Sequence, residues 1–242
     1  MQHSLPTLYS AIDATWPAAE MHDVGPWTLR NGQGGGKRVS AATADKDVTD
    51  ADLPMAEEAM RRMGQDPLFM IRLGQDGLDA MLSARGYDIV DPVNLYYGPL
   101  THMAQTPPPR ALVFSIWPPL EIQKDIWKTG GIGPERVSVM HRAKGAKTAI
   151  LGRYEQSPAG TGFAATHDDI AMLHAVEVLP DLRQLGVGRM MTIHAARWAH
   201  GQGSTHMAVL CTKANTGANA LYASLGLEVV GQYHYRFLKG AT

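Results

Sequence analysis

Between Leu173–Val178, an apolar and β-branched run, and a helical segment holding Met190, Met191, Ile193, His194, Arg197 and Trp198, the chain reads Arg183-Gln184-Leu185-Gly186-Val187-Gly188. This is the spacing of a strand-to-helix turn. Its chemistry would be the holding of an anion. The first N–H groups of a helix have no intrahelical partner, and the aligned peptide dipoles put partial positive charge there. Gly186 and Gly188 lack Cβ atoms, so the backbone can approach a pyrophosphate closely, with Arg183 and Arg189 adding charge. The same turn also closes without a ligand, and a bare G-x-G does not separate the two cases.

Other phosphate-binding patterns fail. A dinucleotide fold needs a third glycine where Met191 stands. The tract Asn31-Gly32-Gln33-Gly34-Gly35-Gly36-Lys37-Arg38 has Asn31 for the first glycine of a P-loop and Arg38 for its Ser/Thr, so it reads as a hairpin tip. Cys211, in HMAVLC, reads as a small buried hydrophobe in preference to a nucleophile.

Composition narrows the partners. With 22 basic against 23 acidic residues there is no broad electrostatic footprint for nucleic acid or anionic lipid. No apolar stretch reaches about 18 residues and the N-terminus lacks a signal-peptide pattern, so the expected compartment is the cytoplasm, without membrane contact. A lone cysteine cannot form an internal disulfide. The ten histidines include no HxxxH pair or Cys/His cluster, so no metal is expected.

At 242 residues the chain fits two domains. Gln105-Thr106-Pro107-Pro108-Pro109 reads as the linker, because consecutive prolines remove donors and favour extended backbone. Ahead of it lie a helical N-terminus, strands at WTLR and RVSAAT, a helix in DADLPMAEEAMRRMG, a strand in LFMIRL, a helix in GLDAMLSARG and a strand in IVDPVNLYY. Beyond it come a strand (ALVFSIW), a helix (PLEIQKDIWKTG), strands at KTAILGRY, GTGFAAT and IAMLHAVEV, the helix from Val187, the strand HMAVLC, the helix ANALYASLG and a final strand. Both halves are α/β. Residues Gly77–Val90 also lie over Gly217–Val230 without a gap, with the glycines, Ala80/Ala220 and Val90/Val230 coinciding. Any helix ending in a glycine cap before a strand shares this frame; its occurrence at matching places in both halves favours duplication.

Arg183 to Gly188 resembles the Q/R-x-x-G-x-G/A signature of the GNAT acetyltransferase superfamily, and Asn215-Thr216-Gly217-Ala218-Asn219-Ala220-Leu221-Tyr222-Ala223-Ser224-Leu225-Gly226 resembles its N-x-x-A-x-x-L-Y-x-x-x-G motif. The resemblance covers roughly residues 110 to 238. It implies a mixed, mostly antiparallel α/β (α+β) sheet flanked by helices, present in two tandem copies: a degenerate GNAT-like domain over 1–105 and a catalytic one over 110–242.

The resemblance further implies acetyl-CoA as cosubstrate, held by Arg183, Gln184, Leu185, Gly186, Val187, Gly188 and Arg189 at its pyrophosphate. Val176 and Val178 would pair with the pantetheine where LHAVEV and HMAVLC splay apart, and Asn215 belongs to the same cofactor set. Tyr222 matches the family's general acid, and the Val178 amide its oxyanion donor. His174 matches a proton-relaying histidine of the serotonin N-acetyltransferase branch, while Met172 replaces the glutamate many members carry. Strict alternation puts Met172, His174, Val176 and Val178 on one face and Glu177, the second-ranked base, on the other unless a β-bulge re-aims it. The implied reaction is acetyl transfer to a primary amine of a small metabolite or amino acid derivative by direct attack in a ternary complex. A non-catalytic acyl-CoA sensor and a protein-interaction module are the alternatives. Leu82 stands where Tyr222 does in the first copy, so that copy is expected to be silent.

Overall fold

The computed structural model describes residues 3–105 and 112–238. In chain order the elements are α1 (Leu5–Thr15), β1 (Glu20–Val24), β2 (Trp27–Asn31), β3 (Thr43–Ala44), α2 (Leu53–Arg62), β4 (Leu68–Arg72), α3 (Asp76–Ala84), β5 (Asp88–Pro99) and α4 (Thr101–Gln105). They continue as β6 (Val113–Ile116), α5 (Glu121–Thr129), α6 (Pro134–Arg142), β7 (Lys147–Tyr154), β8 (Ser157–His167), β9 (Ile170–Val178), α7 (Val187–Gly201), β10 (His206–Thr212), α8 (Thr216–Ser224) and β11 (Glu228–Phe237). One compact unit takes the chain up to Pro17, Leu95–Cys211 and Asn215–Val230; a second takes Ala18–Asn94, Thr212–Ala214 and the chain from Gly231. Of the expected linker, Gln105 closes α4 and the prolines lie outside the described residues.

In the first unit the strands stand in the order β10-β9-β8-β7-β6, with β5 beside β10. The β9/β10 pair is parallel and the others from β9 to β6 are antiparallel. Helix α7 buries Val187, Met191, Ala195 and Ala199, one stripe at intervals of four. Two glycines let it sit close: Gly152 and Gly160 are cross-strand partners on β7 and β8. A Cβ on Gly152 would lie 2.7 Å from Met191, and one on Gly160 3.0 Å from the Met191 methyl. This seat fixes the start of α7 beside the end of β9. Helices α1 and α5 pack against β8 and β9, and α5 buries Trp127 completely.

In the second unit β1-β2-β3 form a small antiparallel sheet and β4 pairs antiparallel with β11. Trp27, Leu29, Met60, Phe69 and Leu82 form the core. The glycine tract connects β2 to β3, where the Gly32 N–H donates to Gln65 Oε1 at 2.7 Å.

Four elements differ from the sequence reading, among them β1 and α4, neither of which it contains. RVSAAT forms a short 3-10 turn over Lys37–Val39 and leaves only Thr43–Ala44 as strand. Helix α6 was not anticipated: it spans nine residues and includes two β-branched valines that weaken the helical signal, yet Pro134 supplies its first turn and Val137 and Met140 bury one side.

Candidate active site

Strands β9 and β10 pair from Ile170/His206 to Leu173/Val209 and no further, although β9 continues to Val178 and β10 to Thr212. A gap opens there between two parallel strands. Its cause on β9 is Ala175, whose φ of 50° is rare for a residue with a side chain. Against β8 the register passes from Phe163↔His174 to Thr161↔Glu177, so β9 spends one extra residue. This bulge corrects the alternation expected from sequence. His174 and Glu177 share the face of Phe163 and Thr161, whereas Val176 and Val178 turn to the side of α7: a Cβ on Gly162 would meet Val176, and one on Gly188 would meet Val178 at 3.8 Å. Leu179 donates its N–H to Ala159 O at 2.9 Å, so the Val178 peptide groups project away from β8, toward the gap.

Beyond Val178 the chain turns through Gln184 (φ 63°) and Gly186 (φ 83°) into α7. No side chain caps this helix, and its first backbone bond is Met190 N–H to Gly186 O. The amides of Val187, Gly188 and Arg189 therefore precede the intrahelical ladder. Leu185 is exposed and Val187 buried. Gly188 faces α8, since a Cβ there would touch Leu221 at 3.4 Å. The arginines have local partners. Arg189 donates to Ser224 Oγ at 3.1 Å; Arg183 donates to Val178 O at 3.0 Å and to the Glu177 carboxylate at 2.9 Å.

On the α1/α5 side, His174 is buried between Trp16 and Phe163, with ring centroids 5.1 and 6.2 Å away. Thr15 donates its hydroxyl proton to Ala11 O at 2.7 Å and so accepts from His174 Nε2–H at 2.9 Å, which sets the tautomer. Trp127 Nε1–H donates to Ala175 O at 2.8 Å and holds the bulge. The Glu177 carboxylate lies over Gly130, where a Cβ would come within 2.5 Å of it. Thr15, Trp16, Trp127 and Gly130 were absent from the sequence reading. They carry no motif, and only the fold brings them to β9.

On the β10 side, Cys211 lies two residues past the last β9 pair, and burial pushes its thiol up to about 11, which makes it a poor nucleophile at neutral pH. Tyr222 is buried on α8, its ring 5.7 Å from Tyr96. Burial, reinforced by the neighbouring Cys211, raises the phenol far above its ordinary value, so it stays protonated. Asn215 caps α8, its side-chain oxygen accepting from Ala218 N–H at 3.0 Å.

Residues 116–227 match the family described as Acetyltransferase (GNAT) family. They belong to the GNAT acetyltransferases. The chain is 25% identical over 237 residues to the uncharacterized N-acetyltransferase YobR of Bacillus subtilis (strain 168), covering 92% of this chain and 94% of that one. A GCN5-related N-acetyltransferase from Kribbella flavida shares the fold, with a TM-score of 0.75, 20% identity, and coverage of 100% of this chain and 98% of the other. A tandem GNAT protein from the clavulanic acid biosynthesis pathway aligns with a TM-score of 0.58 and 14% identity, over 87% of this chain and 76% of its own. The mixed, mostly antiparallel sheet flanked by helices is thus a GNAT-like fold, and the match over residues 116–227 supports an acetyltransferase. Among the described residues no helix is long and apolar enough to cross a membrane.

Proposed function

We propose that this GNAT protein transfers acetyl from acetyl-CoA to a primary amine of a small metabolite or amino acid derivative, by direct attack within a ternary complex in the cytoplasm. One observation carries the reading: β9 and β10 part after Leu173/Val209 next to a helix N-terminus with no side-chain cap. The residues fit the cosubstrate. The uncapped amides of Val187, Gly188 and Arg189 suit a pyrophosphate, with Leu185 and Gly186 closing the turn, and the free edge of β9 at Val176–Val178 suits the amide-bearing pantetheine. When bound, acetyl-CoA supplies an activated thioester carbonyl.

The chain's own groups then have distinct tasks. The Val178 N–H, aimed away from β8, stabilises negative charge developing on the acetyl oxygen. Tyr222 holds a proton for the departing thiolate. His174, with Nε2–H committed to Thr15, relays a proton from the amine through the other side of its ring. Glu177 shares that face; its ion pair with Arg183 makes it the second choice as base and gives it a further task, tying the turn to β9. Arg183, Gln184 and Asn215 shape the turn and the start of α8 more than they supply charge.

We further propose that the first half is a degenerate copy. Each of the segments 76–87 and 216–227 ends its helix with the same bonds: Gly86 N–H to Ser83 O and Tyr87 N–H to Leu82 O in one, Gly226 N–H to Ala223 O and Leu227 N–H to Tyr222 O in the other. Release of free thiol from acetyl-CoA against a panel of amines tests the reading. Amine-dependent thiol supports it; tight acetyl-CoA binding without turnover would leave a sensor, and no binding an interaction module.

A further inference from the structure

The parallel pair β9/β10 has a second end, away from the gap, where Ile170 faces His206. Three side chains meet there from distant places in the sequence. His3 precedes α1, Asp169 immediately precedes β9 and His206 begins β10. His3 Nε2 lies 2.9 Å from Asp169 Oδ1, and the rings of His3 and His206 meet edge to face at 5.1 Å. One ligand atom from each of the three lies within 4.8 Å of the other two.

We propose that His3, Asp169 and His206 bind a divalent transition-metal ion of the zinc type. Two imidazoles and one carboxylate are a donor set for zinc, cobalt or nickel, whereas calcium and magnesium call for oxygen ligands alone. The surroundings supply what such a site needs around its ligands. A metal-bound histidine is ordinarily oriented through its other nitrogen; Tyr97 OH meets His3 Nδ1 at 2.6 Å, leaving Nε2 on the side of Asp169. The Thr205 hydroxyl donates to Asp169 Oδ2 at 2.7 Å and meets His206 Nδ1 at 2.7 Å, so one hydroxyl orients two of the ligands. The His206 ring also stacks on Tyr97, with centroids 5.1 Å apart and planes 4° apart. A cavity of about 290 Å³ lies beside His206, lined also by Tyr97, Gly226 and Glu228 among others.

An ion here would pin the chain ahead of α1 to the sheet, and α1 carries Thr15 and Trp16 to His174 at its other end. The site is separate from acetyl transfer and does not rest on that reading. Positions 3, 169 and 206 have no ligand spacing, so the expectation of no metal drawn from local patterns could not see them.

The test is zinc titration of the full chain, stripped with a chelator, followed by calorimetry and thermal melting. The expected result is one ion per chain and a melting temperature raised by roughly 5–10 °C at a hundredfold excess over Kd. His206→Gln and His3→Gln should each lose this event, and cobalt should give visible absorption bands in the wild type that both variants lack. Thr205→Val keeps all three ligands and should weaken binding about 10–100-fold. Because the chain has ten histidines, His22→Gln, at an exposed position, serves as control and should bind as the wild type does. Absence of a one-to-one event in the wild type, or its survival unchanged in both His3→Gln and His206→Gln, overturns the proposal.

Discussion

The hydroxyl of Tyr96, on β5, donates to the side-chain oxygen of Asn219, on α8, across 2.9 Å. Under the 140-residue offset of the proposed repeat, Tyr96 corresponds to Arg236 and Asn219 to Asp79; Arg236 Nε donates to Asp79 Oδ1 at 2.7 Å. The same helix position is thus bonded by the same strand position twice. In each case the strand comes from the other half of the proposed repeat: β5 follows α3 in the chain but bonds to α8, and β11 follows α8 but bonds to α3. This reciprocal use of terminal strands is the strongest structural support for the duplication proposed above.

It predicts the behaviour of a fragment. Residues 110–242 expressed alone lack α1 and Leu95–Pro99, both integral to the first unit. The fragment should give no cooperative melting transition, while co-expression with residues 1–109 should restore one. A fragment that melts cooperatively by itself would refute the exchange.

Asp79 offers a measurement on the second unit. Its hydrogen bond from Arg236, opposed by burial and aided by His234, holds its carboxyl below the ordinary range. A depressed carboxyl stabilises the fold fully above the unfolded-chain value of about 3.9, and the contribution disappears as pH falls through the lower folded value. Asp79→Asn leaves the buried Arg236 without a counter-charge and should cost about 2 kcal/mol at neutral pH. Urea midpoints of both proteins should converge in acid; a constant difference at all pH values would exclude the linkage.

At the turn, Gly188→Glu should abolish the thermal shift produced by acetyl-CoA, since the side chain would crowd Leu221 and its charge would oppose a pyrophosphate. Gly186→Ala tests the backbone alone. At φ 83° it should destabilise by about 1 kcal/mol, although nothing lies within 4 Å of the added Cβ. An acetyl-CoA shift that persists in folded Gly188→Glu would remove the site.

Tyr222→Phe should lower kcat about 10²–10⁴-fold with little change in acetyl-CoA affinity. Because the phenol's pKa is raised, the wild type should show no loss of rate as pH passes about 10, the ordinary tyrosine value. Full activity in Tyr222→Phe would return the ring to a packing role.

His174→Ala should erase the acidic limb of the pH–rate profile. Thr15→Val is the finer probe: it leaves the imidazole in place but removes the acceptor of its Nε2–H, a loss of about 1–3 kcal/mol for a buried donor. It should lower kcat more than it alters KM. An acidic limb unchanged in His174→Ala would assign the proton path elsewhere.

How far the sequence revealed this arrangement depended on the range of the interactions. The turn was legible because Gly186 and Gly188 sit between a β-branched run and an amphipathic stripe, all within some twenty-five residues. The frame behind the proposed repeat was legible because glycine caps and helix spacing are local as well. The bulge was not: alanine gives no signal that position 175 will adopt φ 50°, and what holds it there is an indole from Trp127. Likewise nothing near Thr15 or Trp16 announces His174, and the exchange of β5 and β11 leaves no trace in either strand's own pattern.

That exchange also orders events during synthesis. The first unit needs Asn215–Val230 and the second needs the chain from Gly231, so a nascent chain still short of β11 has completed neither. Domains in a row ordinarily close one after another as they leave the ribosome. Here the edge of β4, which β11 pairs from Leu68/Phe237 to Arg72/Tyr233, must wait unpaired for residues more than 150 positions downstream. Translation speed and chaperone holding, more than intrinsic stability, should then govern the yield of this protein in a cell.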